Sequence, residues 1–110
     1  MTPLELYKSL LLSWDERMNL IGPEARANLD THIREALEAG EILQPEGEVL
    51  DFGSGGGLPA IPMAIAHPKA RFHLVEASQK KWAFLKHVVR ACSFARRRST
   101  ARAARAKSTT

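Results

Sequence analysis

Leu4, Tyr7, Leu11, Trp14 and Met18 recur at spacings of three and four, which draws one apolar stripe down a helix from Pro3 to Leu20. Thr2 and Pro3 suit its opening turn, and Gly22-Pro23 is expected to stop it. A weaker helical pattern runs from about Asn28 to Ala39, with Leu29, Ile33 and Leu37 on one side and Gly40 as its expected end. After the turn Gln44-Pro45-Glu46-Gly47, the run Val49-Leu50-Asp51-Phe52 reads as a short buried strand, broken abruptly by Gly53, Gly55, Gly56 and Gly57. Pro59 can open the next helix, Pro62 is tolerable in its first turn, and Pro68 closes it. Arg71 to Glu76 alternates as a second strand, and Ser78 is placed to cap a helix reaching about Arg90. At 100° per residue, Trp82, Phe84, Leu85, Val88 and Val89 fill one arc of that helix and Lys80, Lys86, His87 and Arg90 the other. Lys81 alone falls inside the apolar arc, where its stem can snorkel to water or reach a bound ligand. Two helices followed by a βαβα run make the chain α/β, with a parallel sheet.

Charge divides the chain in two. Its 110 residues carry a net +4, which by itself would suggest a nucleic-acid binder. Up to Arg90, however, ten Lys and Arg face all twelve acids, a balance of −2, and the excess is confined to Arg96, Arg97, Arg98, Arg102, Arg105 and Lys107. The part with secondary-structure patterning is therefore mildly acidic. One cysteine, Cys92, cannot make an internal disulfide, and the scattered His32, His67, His73 and His87 build no metal cluster around it, so no metal is expected and a reducing, cytoplasmic setting is. Glu5 and Lys8 interrupt the short apolar N-terminal run, which reads as neither signal peptide nor membrane span.

The candidate chemistry lies at the end of the first strand. Asp51-Phe52-Gly53-Ser54-Gly55-Gly56-Gly57 fits D-x-G-x-G-x-G between a predicted strand and a predicted helix, a context that makes the pattern informative. Glycines let the chain reverse tightly and leave room for a ligand against the main chain. Glu76, at the end of the second strand, would stand beside this loop, where a carboxylate can accept two hydrogen bonds from ribose hydroxyls. A glycine turn without a ligand would explain neither Asp51 nor Glu76. Two cofactors suit the geometry, because Gly55 to Ala60 can also be read as the dinucleotide pattern G-x-G-x-x-A of NAD sites. Asp51 favours S-adenosylmethionine over NAD, which stays as the alternative: the carboxylate would repel a pyrophosphate but attract the ammonium and sulfonium of S-adenosylmethionine.

The residues now resemble a family. Trp14 to Leu20 (WDERMNL), His32-Ile33, Val49 to Pro62 (VLDFGSGGGLPAIP) and Lys80-Lys81 followed by Phe84-Leu85 are similar, in order and spacing, to the bacterial RsmG (GidB) proteins. Those methylate N7 of a guanine in 16S ribosomal RNA. The Leu58-Pro59-x-Ile61-Pro62 extension separates this pattern from methyltransferases in general. The resemblance runs from about Leu10 to Arg90. It implies the N-terminal part of a Rossmann-like class I methyltransferase fold preceded by two helices, with an incomplete sheet: an N-terminal helical segment over 1–47, part of an S-adenosylmethionine-binding βαβα unit over 48–91, and a basic tail over 92–110. It further implies that Gly53, Gly55 and Leu58 line the cofactor, that Glu76, Ala77 and Ser78 meet ribose and adenine, and that Asp51 lies near the amino acid moiety. His32 matches a family histidine facing the active site, although a lone His on an amphipathic helix is more often structural. Trp14 and Asn19 read better as core anchor and helix end. No residue is singled out as catalytic. The expected partner is 16S rRNA or the small ribosomal subunit.

Departures from the family begin with Ala60 in place of a glycine and Glu35-Ala36 in place of Asp-Ser. The largest follows Cys92, where the family continues into a third strand. Phe94 to Arg105 shows neither strand periodicity nor an amphipathic stripe. Such a segment reads as a disordered basic arm that tethers RNA through phosphates, or, in the preferred reading, as the out-of-frame end of a truncated gene. With two strands and half a cofactor pocket, the expectation is weak or no cofactor binding and no appreciable turnover.

Overall fold

The computed structural model describes residues 1–92 and 100–103. Helix α1 spans Pro3–Met18 and opens with a capping box: the Glu5 N–H donates to the Thr2 hydroxyl at 3.1 Å while the Glu5 carboxylate accepts from the Thr2 N–H at 2.8 Å. Asn19 ends it in the left-handed conformation, as its reading as a helix end requires. Gly22-Pro23, expected only as a stop, instead starts a second short helix, α2, over Gly22–Ala27. Proline in a first helical turn gives up only an amide that has no helical partner.

Helix α3 spans Leu29–Leu43 and runs past Gly40. Gly40 is not its end but a contact point: a Cβ there would lie 2.9 Å from His67 Nε2, so the glycine lets α3 approach the end of α4 closely. The left-handed cap falls on Gln44. Strand β1 (Gly47–Phe52), helix α4 (Ala60–Ala66), strand β2 (Ala70–Glu76) and helix α5 (Gln79–Ala91) follow where the hydrophobic pattern predicts, but β1, expected to be buried, has no buried residue, because one of its faces is bare. The Ser78 hydroxyl accepts from the Lys81 N–H and caps α5.

A third strand, β3, spans Thr100–Ala103 and pairs parallel to β2 from His73 opposite Thr100 to Glu76 opposite Ala103. The expectation of no strand beyond Cys92 is thereby corrected for these four residues. Beside the main-chain ladder, His73 Nδ1 lies 3.1 Å from the Thr100 hydroxyl and the Trp82 indole N–H donates to the Ala101 carbonyl at 3.4 Å. Arg96, Arg97, Arg98, Arg105 and Lys107, on which the RNA-tether reading rests, lie outside the described residues. The sheet order is β1-β2-β3, with β1 and β2 in register from Gly47 opposite Ala70 to Phe52 opposite Val75.

Helices α4 and α5 pack on one face of this sheet, and α1 and α3 pack on them. Phe72 and Leu74 of β2 meet Ile61 of α4 and Phe84, Leu85 and Val88 of α5 in a core that also takes in Tyr7 and Leu11. Trp14 packs edge-on against Phe84 at 5.5 Å between ring centroids, the anchoring expected of it. The opposite sheet face carries Glu48, Leu50 and Phe52, alternate residues of β1. Leu50 is 63% and Phe52 73% exposed, unusual in a parallel sheet, whose two faces are ordinarily both covered. No helix among the described residues is long and apolar enough to cross a membrane.

Candidate cofactor site at the glycine loop

Strand β1 hands the chain directly to the glycine loop. The Gly53 N–H still donates to the Val75 carbonyl at 2.8 Å, so the sheet ladder continues one residue past the strand before the chain turns. Gly53, Gly55 and Gly57 then take φ of +71°, +57° and +94°, torsions that a Cβ would strain. The Gly57 N–H donates back to the Ser54 carbonyl at 2.8 Å and closes the turn. A Cβ at Gly53 would meet nothing within 4 Å, so the near side of the loop is open to a ligand.

Glu76 joins this loop to the second strand. Its carboxylate is buried, accepting the Gly55 N–H on Oε1 at 2.7 Å and the Ser78 N–H on Oε2 at 2.8 Å. The β2 terminus, the loop and the start of α5 thus share one acidic group. Each carboxylate oxygen can accept more than one hydrogen bond, so these contacts leave Glu76 able to receive hydroxyls as well. Asp51 lies half-buried on the same sheet face, opposite Leu74, while its carbonyl accepts the Ser54 hydroxyl at 3.1 Å.

The far side of the loop rests on the N-terminal helices. The Tyr7 hydroxyl, on a side chain with 0% exposure, donates to the Gly56 carbonyl at 2.7 Å. Burial, and then the nearby Cys92 thiolate charge, push the Tyr7 phenol well above its ordinary value. A Cβ at Gly56 would lie 2.7 Å from Ile21 Cγ2, so the loop packs directly onto the corner between α1 and α2. That corner is fastened by Asp15, which is buried and accepts the Ile21 N–H at 2.9 Å and Arg26 Nη1 at 3.1 Å. Burial opposes ionisation of Asp15, but the hydrogen bonds from Ile21, Arg26, Gly22 and Leu20 outweigh it and hold the carboxyl below the usual range.

Between this corner and the loop opens a cleft of about 500 Å³. Ile21, Ala25, His32 and Glu35 form one wall, and Gly53, Gly55 and Leu58 the other. Of the residues singled out in the sequence, Gly53, Gly55 and Leu58 therefore face the cleft, as does His32, whose Nδ1 is 3.8 Å from a Glu35 carboxylate oxygen. Glu76 holds the loop at Gly55 and is itself held by the Ser78 N–H, Ala77 is exposed beside them, and Lys81 is half-buried. Tyr7 and Asp15 carried no functional expectation. Tyr7 read as one more position of an apolar stripe, although a buried tyrosine hydroxyl requires a partner.

The family described as rRNA small subunit methyltransferase G (GidB) matches residues 1–108. Among curated relatives, "Ribosomal RNA small subunit methyltransferase G" of Helicobacter bizzozeronii is 41% identical over 85 residues, 77% of this chain and 48% of the relative. The proteins of that name from Granulibacter bethesdensis and Gluconobacter oxydans are 43% and 41% identical over 90 and 91 residues, covering 80% and 81% of this chain and 42% and 46% of theirs. The chain thus spans about half the length of the relatives it matches. Because the family match takes in the N-terminal helices, the glycine loop and β3 together, this chain belongs to the GidB family of rRNA small subunit methyltransferases.

Proposed function

We propose that this chain is the cofactor-binding part of an S-adenosylmethionine-dependent methyltransferase acting on the small-subunit (16S) ribosomal RNA in the cytoplasm, with N7 of a guanine as methyl acceptor. The observation that carries the reading is the joining of the glycine loop to Glu76: an open backbone turn and a buried carboxylate meet within hydrogen-bonding distance. The residues fit the cofactor. The open side of Gly53 leaves room for it, Glu76 keeps acceptor capacity for ribose hydroxyls, and Asp51 supplies negative charge for an ammonium or sulfonium. Gly53, Gly55 and Leu58 would line it, with Ala77 and Ser78 beside the adenosine. The bound cofactor supplies an electrophilic methyl group.

The guanine N7 lone pair is itself the nucleophile, so the protein's task is alignment rather than proton transfer. Here the chain contributes a cradle fixed at three points: Gly53 on Val75, Gly55 on Glu76, and Gly56 on Tyr7. His32 and Glu35 stand across the cleft from the loop, where they can meet what enters beside the cofactor. Alone, these 110 residues are expected to bind the cofactor weakly and to turn over little.

Calorimetric titration with S-adenosylmethionine, with NADH in parallel, tests the reading. Binding of the first and not the second is expected, and Glu76→Gln should weaken it by about tenfold or more, the range for a hydrogen bond to a charged group. No heat at millimolar S-adenosylmethionine, or an affinity untouched by Glu76→Gln, would overturn it.

A further inference from the structure

The glycine loop is gripped from both sides, and the two grips differ in origin. Glu76 reaches Gly55 from the end of the neighbouring strand, an arrangement local to the βαβ unit. Tyr7 reaches Gly56 from the N-terminal helix, 49 residues earlier in the chain. We propose that Tyr7 is a positioning residue whose hydroxyl sets the conformation of the glycine loop for cofactor binding, so that α1 is part of the cofactor site without touching the ligand. The inference rests on the cofactor reading given above for the nature of the ligand, but not for the grip itself.

The geometry supports this at three levels. The Gly56 carbonyl and the Gly57 N–H belong to one peptide plane. Tyr7 holds the carbonyl end at 2.7 Å and the Ser54 carbonyl holds the N–H end at 2.8 Å, so the plane is fixed on both edges. That plane leads into Gly57, whose φ of +94° a flexible glycine backbone would otherwise share with many others. Tyr7 is itself immobilised: fully buried, with its ring 6.4 Å from that of Phe84. Its hydroxyl is accordingly delivered from the core rather than from a surface side chain free to swing. Finally, Gly56 packs onto Ile21, whose N–H is held by buried Asp15, so the same peptide is fixed by packing as well as by the hydrogen bond. A stripe position that needed only apolar bulk would be filled equally well by phenylalanine.

Tyr7→Phe in the full 110-residue chain isolates the hydroxyl. The variant should keep its far-ultraviolet circular dichroism. Its Gly55 and Gly57 amides should exchange with solvent deuterium about tenfold faster, while the Phe72 and Leu74 amides of β2 stay within twofold of wild type. Its dissociation constant for S-adenosylmethionine should rise by about tenfold. A uniform acceleration of all amides would mean a merely structural tyrosine and would overturn the proposal, as would unchanged loop exchange. If the wild-type chain gives no heat with S-adenosylmethionine, the cofactor reading fails, and loop exchange alone decides the grip. Should Tyr7→Phe not fold, the single tyrosine of the chain allows 3-fluorotyrosine labelling with the hydroxyl retained. S-adenosylmethionine is expected to shift its one fluorine resonance, and a resonance that saturating ligand leaves unmoved would overturn the proposal.

Discussion

Replacing Asp15 by alanine should destabilise the chain out of proportion to the size of the change. The carboxylate accepts the Ile21 N–H at 2.9 Å and Arg26 Nη1 at 3.1 Å, and its side chain is only 7% exposed. Its removal leaves the Ile21 amide without its acceptor and Arg26 with only the exposed Glu16 and the Leu12 carbonyl as partners. Hydrogen bonds to a charged group contribute roughly 1.5–3 kcal/mol each, and breaking a buried ion pair costs about 3–5 kcal/mol. Arg26 is one-third exposed and can regain water, so the lower end applies, about 3 kcal/mol at pH 7. The loss should depend on pH in a defined direction. The Asp15 carboxyl is held below its ordinary value in the folded chain. Its contribution is therefore complete above the unfolded value, about pH 4, and fades as pH falls through the lower folded value. Urea unfolding followed by tryptophan fluorescence should show wild type and Asp15→Ala about 3 kcal/mol apart at pH 7, with the gap narrowing as pH falls below about 4. A difference under about 0.5 kcal/mol at pH 7, the range of ordinary surface substitutions, or one that does not shrink in acid, would refute the role assigned to Asp15.

Further outcomes follow from the same geometry. Gly56→Ala forces a Cβ to within 2.7 Å of Ile21, so it should cost about 1–3 kcal/mol in urea unfolding; a neutral effect would mean that the loop does not rest on the α1–α2 corner. Burial pushes the Cys92 thiol up to about 11, so native Cys92 should react with a disulfide reagent at pH 8 at least about a hundredfold more slowly than in urea, and equal rates would contradict its burial. Leu50 and Phe52 should make the chain bind a hydrophobic dye and associate at high concentration. Phe52→Ser should reduce both, and a monomer that ignores the dye would show that this face is covered.

The α/β class and the main helices and strands were legible because their apolar positions repeat at helical or strand period. The same holds for the placing of the glycine loop beside Glu76, which follows from strand ends in a parallel pair. What escaped depends on contacts between distant residues. Gly22-Pro23 carries the signals of both a helix end and a helix start, and the helix it starts is tied back to α1 through Arg26 on Asp15 and Glu16. Gly40 looked like a cap, but the close approach of His67 keeps it inside α3. Strand β3 alternates only two alanines with Thr100 and Arg102, too small and short an apolar pattern to read as a strand, and it pairs with the edge that β2 offers while Ala101 packs on the core. Tyr7 and Asp15 are each polar atoms on an otherwise scaffold-like helix. Their partners, Gly56 and the Ile21–Arg26 corner, become neighbours only when the helices fold back over the loop. Asp51 and the glycine pattern pointed to the cofactor, whereas the methylated nucleotide came from the family resemblance alone, since no spacing in the chain encodes it.

The cofactor site itself is open to a direct measurement on seven reporters, because the chain contains seven glycines. In a ¹⁵N-glycine-labelled sample titrated with S-adenosylmethionine, the amide signals of Gly53, Gly55, Gly56 and Gly57 should shift together along one saturation curve. Gly40, packed against His67, and Gly47, at the far end of β1, should stay in place. Loop signals that do not move at millimolar ligand, or shifts confined to Gly40 and Gly47, would contradict the claim that this loop is where the cofactor binds.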